Sequence, residues 1–168
     1  MEQPDLFKFC PPKPPKKTAP CEWKIVPLRD CVRPYGESVC DKPEIAAEYW
    51  RRNVETAPHF NPSCECFVVL LLNTRRRIIG HHLVAIGLLD QVQVHAREVF
   101  RAAIIAAAHA VILMHNHPSG DPTPSDADIK ITRDLIRAGQ LLKIEVCDHL
   151  VVGRDQHKSL RSLGYFHS

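Results

Sequence analysis

The amino-acid sequence predicts an α/β or α+β domain built on a mixed β-sheet flanked by helices. Three observations carry this expectation. The chain has 168 residues, the size of one ordinary domain. Its 45% hydrophobic and 24% charged content is that of a soluble globular protein and excludes a chain that is disordered or collagen-like throughout. Its apolar period alternates between helical and extended spacing in the order helix, two strands, helix, strand, helix, strand.

Six prolines fall between Pro4 and Pro20, together with Lys8, Lys13, Lys16 and Lys17. That composition cannot build a packed core and predicts a disordered tail over 1–20. Residues 21–60 read as an N-terminal extension with one helix. Asp41 and Glu44 have the spacing of a capping box, and Ile45, Ala46, Tyr49, Trp50 and Val54 recur at helical spacing up to about Thr56, ahead of Pro58. The main domain is expected over 61–168.

Within it, Cys66 to Leu72 is an apolar run rich in branched side chains, and Ile78 to Ile86 is a second extended stretch beyond Asn73-Thr74-Arg75. Together they predict a hairpin. Phe100, Ala103, Ile104 and Ala107 give a helix over Arg97 to His109, feeding a buried strand from Val111 to Met114. Pro118, Gly120, Pro122 and Pro124 mark a loop. Ser125 then caps a helix whose buried stripe is Ile131, Leu135 and Ala138, with Gly139 as the residue just past its end. Ile144 to Val152 is the final expected strand.

Several function classes fall away on composition. The longest apolar run, Ala102 to Met114 with one histidine inside it, is short of the roughly 20 residues that span a bilayer. The N-terminal lysines have no apolar stretch behind them, so no secretory signal is read and a cytoplasmic location is expected. The 7 cysteines are an odd number without paired CxxC spacing, which fits reduced thiols and gives no structural zinc module; Cys64-Glu65-Cys66 alone does not make one. A net charge of +3 does not by itself imply nucleic-acid binding. The 10 histidines are the compositional oddity.

The chemistry concentrates between His115 and Asp128. His115 and His117 stand where a buried strand ends, and residues two apart in an extended chain point to the same side. Two imidazoles can thus meet one ion, with Asp128 as a third ligand reached through a proline-stiffened loop. Three protein ligands with a fourth position open is the arrangement of catalytic zinc. Taken alone, Ser125-x-x-Asp128 is better read as an N-terminal helix cap, since caps are common and an aspartate in the first turn is favoured there without any metal. The joint occurrence of same-side histidines, stiff loop and helix-start carboxylate favours the metal site.

The spacing His-x-His, seven residues, Ser, two residues, Asp resembles the JAMM metalloprotease motif. The fuller string His115-Asn116-His117-Pro118-Ser119-Gly120, with Pro124-Ser125 and Asp128, resembles the RadC family within that superfamily. Glu65-x-Phe67-Val68-Val69-Leu70, His95-Ala96-Arg97-Glu98-Val99-Phe100 and Asp148-His149-Leu150-Val151-Val152-Gly153 agree, so the likeness runs from about Glu44 to Gly164. The helix-hairpin-helix region of longer RadC proteins has no counterpart in the proline-rich first forty residues.

The resemblance implies a three-layer domain of JAB1/MPN type, related to the cytidine-deaminase fold. It implies Zn2+ held by His115, His117 and Asp128, a catalytic glutamate upstream, and Ser125 near the transition state. Glu65 matches that glutamate by its position before an early strand; Glu98 is the alternative, set beside Arg97 at a helix start. The implied activity is zinc-dependent hydrolysis of an amide or isopeptide bond in a peptide or protein substrate. Asn116 is expected to stabilise the loop, and His149 to stand behind the metal ligands or to pair with Asp148 in the core. His81, His82, His95 and His109 are expected on surfaces.

A zinc deaminase would need His-x-Glu with Pro-Cys-x-x-Cys, and an HExxH protease its own string; neither occurs. The alternative of another class is a non-enzymatic DNA-associated module linked to DNA repair. The family's name suggests it, and its support is the lysine-bearing tail and the Arg75-Arg76-Arg77 turn.

Overall fold

A computed structural model of the chain describes residues 28–32, 39–87 and 94–166, so the tail expected over 1–20 lies outside them. Strands β1 (Glu65–Leu72) and β2 (Ile78–Gly87) form the expected antiparallel hairpin, with Val69 opposite His82. Strand β3 (Ala110–Asn116) lies antiparallel on the other side of β1 and sets His115 opposite Phe67. Strand β4 (Glu145–Val152) runs parallel to β3, and the short β5 (His157–Ser159) closes the sheet antiparallel to β4. The order across the sheet is β2-β1-β3-β4-β5.

The helices are α1 (Pro43–Tyr49), which widens into a π-helical turn over Trp50–Val54, α2 (Ala96–Ile105) and α3 (Asp126–Leu142). Alternation along the strands sorts the side chains into two cores. Val68, Leu70, Leu72, Met114 and Leu150 pack with Ala46, Ala47 and Trp50 of the first helix. Phe67, Val69 and Leu113 pack on the other face with Phe100 of α2 and Leu135 of α3. The result is a mixed five-stranded sheet between helical layers. Because both faces are covered, β1 and β3 are buried at nearly every position, which is why they read as continuous apolar runs.

Three boundaries differ from expectation. Lys42, not Asp41, caps α1, and no side chain bonds the first turn; Pro43 occupies the first helical position, where its fixed φ and missing N–H suit a helix start. Helix α2 stops at Ile105 instead of His109, since Ala107 takes φ 48° and the chain turns into β3. Helix α3 passes through Gly139 to Leu142 and ends on Lys143 with φ 58°. Gly139 serves packing: a Cβ there would lie 2.5 Å from the Ile144 carbonyl oxygen, where the chain folds back over the helix. Strand β5 was not foreseen, because His157-Lys158-Ser159 carries no apolar alternation.

Candidate metal centre

The site lies at the end of β3, beside the start of β1 and the first turn of α3. His115 is fully buried, and its ring stacks parallel to Phe67 at 6.0 Å between centroids. The His117 backbone N–H donates to the Val152 carbonyl at 3.0 Å, which continues the extended run and keeps both imidazoles on one side. The loop then turns at Gly120, whose N–H donates to the His117 carbonyl at 2.9 Å and whose φ is 85°. Gly153 supports this turn from below; a Cβ on it would stand 2.4 Å from the Gly120 carbonyl oxygen.

Asp128 is placed by a capping box. Ser125 accepts the Asp128 N–H on its hydroxyl at 3.2 Å, while the Ser125 N–H and hydroxyl donate to Asp128 Oδ2, each at 2.7 Å. The cap reading of Asp128 is therefore realised, and the same side chain is placed where a ligand would stand. The carboxylate faces the histidines: His115 Nε2 to Asp128 Oδ1 is 3.2 Å, His117 Nε2 to Asp128 Oδ2 is 3.4 Å, and the two Nε2 atoms are 3.1 Å apart.

These edges fit a cation. Donors of a tetrahedral zinc, at bonds of about 2.0–2.1 Å, stand roughly 3.3 Å apart. His117 Nδ1 lies 2.8 Å from the Asp121 carbonyl oxygen, which can only accept, so that proton sits on Nδ1 and the Nε2 lone pair is free. Among the described residues, His115, His117 and Asp128 are the group of ligand atoms gathered closely enough to hold an ion.

Burial alone would raise the Asp128 carboxyl, but the His115, His117 and Ser125 hydrogen bonds hold it far below the usual carboxylate range. His117 is raised by its bond to Asp128, against burial. Glu65 opens β1 on the face that carries Phe67 and His115, with Oε1 3.8 Å from His115 Nε2, and burial raises its carboxyl despite the nearby imidazoles. Glu98 instead pairs with Arg97 at 3.3 Å and Arg101 at 2.9 Å on α2. The fold thus brings Glu65, His115, His117, Ser125 and Asp128 together.

Asn116 does not stabilise its own loop but the start of β1: its amide oxygen accepts the Cys66 N–H at 2.9 Å, and its amide nitrogen donates to the Cys64 carbonyl at 3.0 Å. The His149 ring stands behind His115 and does not bond the Asp148 carboxylate, which accepts the His149 backbone N–H at 2.7 Å, the Ser159 hydroxyl and the Arg161 N–H. Enclosure pushes the His149 imidazole well below its ordinary range and keeps it neutral. Thr132, one helical turn beyond Asp128, also reaches His149 and was missed; its i+4 spacing from a ligand on a buried helix face is the available signal. His81 is not a surface residue: it bonds Tyr49 Oη at 2.9 Å, and burial, helped by Arg29, lowers it to about 4.

The family model of the RadC-like JAB domain matches residues 40–165. The chain belongs to the RadC family. This RadC-like JAB domain is 54% identical over 102 residues to the UPF0758 protein STH371 of Symbiobacterium thermophilum, which covers 61% of the chain and 44% of that protein. It is 39% identical over 131 residues to the UPF0758 protein tlr1707 of Thermosynechococcus vestitus, covering 78% and 50%. With the UPF0758 protein SH1266 of Staphylococcus haemolyticus it shares 40% over 134 residues, covering 80% and 59%. The chain spans about half the length of the curated relatives it matches. The mixed sheet with its flanking helices is that of a JAB/MPN domain, and no helix among the described residues is long and apolar enough to cross a membrane.

Proposed function

We propose that this RadC-like JAB domain is a zinc-dependent hydrolase of amide or isopeptide bonds in a peptide or protein substrate, working in the cytoplasm. The observation that carries the reading is the triangle of His115, His117 and Asp128 donor atoms at 3.1–3.4 Å, with the Glu65 carboxylate beside it. Zinc held by these three residues would polarise a carbonyl and make water a nucleophile near neutral pH.

The chain's own residues supply the rest. Glu65 accepts the proton of the attacking water and delivers it to the leaving amine; its raised carboxyl suits a group that must both take and give a proton. Ser125 donates to the tetrahedral oxyanion once its hydroxyl turns from Asp128 Oδ2. Asp128 stays ionised and keeps its charge toward the cation. The arginine turn lends little to a DNA-associated module, because Arg76 is engaged by Glu145 at 2.6 Å and by the Cys147 sulfur.

Metal analysis of the purified chain is expected to find about one zinc per chain, as three ligands with an open position imply. Glu65→Gln is expected to keep that zinc and to lose hydrolysis of peptide and isopeptide-linked test substrates. A chain that binds no zinc overturns the reading, and retained turnover in Glu65→Gln removes Glu65 from the base role.

A further inference from the structure

Behind the ligand triangle lies a closed line of buried polar groups: the Asp128 main-chain carbonyl, the Thr132 hydroxyl, the His149 ring and the His115 ring. Thr132, His149 and His115 are each fully enclosed. Thr132 Oγ1 donates to the Asp128 carbonyl and lies 2.6 Å from His149 Nδ1; His149 Nε2 lies 2.9 Å from His115 Nδ1. A carbonyl oxygen has no proton to give, and a hydroxyl has one. The Thr132 proton therefore belongs to Asp128, and toward His149 the hydroxyl can only accept.

The remaining protons follow in order. His149 carries its proton on Nδ1, its Nε2 accepts, and His115 donates from Nδ1. His115 is left with its Nε2 lone pair turned to His117 and Asp128. We propose that Thr132 and His149 are positioning residues of the metal centre, fixing the His115 tautomer that can bind a cation. The line starts on the main chain of one ligand and ends on the ring of another, so it also sets α3 against β3. Phe67 seals it, stacked on His115 and edge-on to His149 at 5.5 Å, and keeps out water that would offer His149 another partner.

This inference rests on the metal reading proposed above, and its test separates the two. In Thr132→Val the shape stays and the hydroxyl goes, so His149 is free to hold its proton on Nε2, which moves the His115 proton to the nitrogen facing the cation. Zinc affinity, measured by competition with a chromophoric chelator, is expected to fall about 10- to 100-fold. Thr132→Ser is expected to recover it.

Nitrogen-15 spectra of the imidazoles in the metal-free full chain are expected to show His149 protonated on Nδ1, and in Thr132→Val on Nε2. If Thr132→Val binds zinc as tightly as the unchanged chain, or the unchanged chain carries the His149 proton on Nε2, the inference is overturned while the metal reading stands. If the unchanged chain binds no zinc but shows the stated tautomer, the metal reading fails and the proton order survives. The spectrum of the unchanged chain decides the proton order even where a variant does not fold.

Discussion

Asn116 holds the backbone on both sides of Glu65, accepting the Cys66 N–H at 2.9 Å and donating to the Cys64 carbonyl at 3.0 Å. Asn116 also sits between His115 and His117, so one side chain ties the Glu65 backbone to the candidate metal ligands. Asn116→Leu is expected to leave zinc affinity within a few-fold and to lower kcat about 10- to 100-fold, since a misplacement of about 1 Å costs that order. Urea denaturation should show a loss of about 1–3 kcal/mol for the unmatched Cys66 N–H. Unchanged kcat would detach Asn116 from Glu65 placement.

On the proposed reading zinc is expected to stabilise the fold, because the residues that would hold it, His115 in β3, His117 just past its end and Asp128 in α3, meet only in the folded chain. At a free zinc concentration of about 100 Kd the gain is about 2.7 kcal/mol. Chelation should lower Tm, and His115→Ala should remove the dependence of Tm on zinc. A zinc-dependent Tm in His115→Ala would place the ion elsewhere.

Gly153→Ala is expected to disturb the loop that carries His117. The new methyl would press on the Gly120 carbonyl at 2.4 Å, and backbone cannot swing aside as a long side chain can. A stability loss of about 1–3 kcal/mol and weaker zinc binding should appear together in thermal melts and chelator competition. Gly139→Ala meets the Ile144 carbonyl at 2.5 Å and should lose stability with zinc affinity intact, since that contact lies at the far end of α3.

His81 gives a pH dependence away from the cation ligands. Its folded pKa is about 4 against an ordinary 6.5, first because it is buried and then because Arg29 is near. As pH falls below about 6.5 the unfolded chain takes up the proton first, so this stability is full above that pH and is lost progressively down to about 4. His81→Gln should flatten that part of the stability curve, read from urea midpoints at neutral and mildly acid pH. Parallel curves for the two chains would count against it.

Much of this was legible in the residues. The hairpin and the strand that bears His115 announce themselves because a strand covered on both faces must be apolar throughout, as β1 and β3 are. The ligands are local, within one strand-loop-helix unit, so their spacing alone brings them together. Thr132 and Asn116 were harder to see because their roles depend on partners from other strands, His149 of β4 and Cys66 of β1. The helix starting at Pro43 was misassigned to an Asp41 cap, since two adequate start signals lie side by side and only backbone geometry chooses between them. Strand β5 is held by its pairing with β4 rather than by any pattern of its own.

The three ligands span His115 to Asp128, whereas Glu65 reaches them across the antiparallel pairing of β1 with β3, where Phe67 faces His115. On the proposed reading, capture of an ion and its use would be encoded in different stretches of the gene. Drift in the segment around residue 65 would then silence a descendant that still held its cation, so occupancy alone would not distinguish a working copy from a retired one.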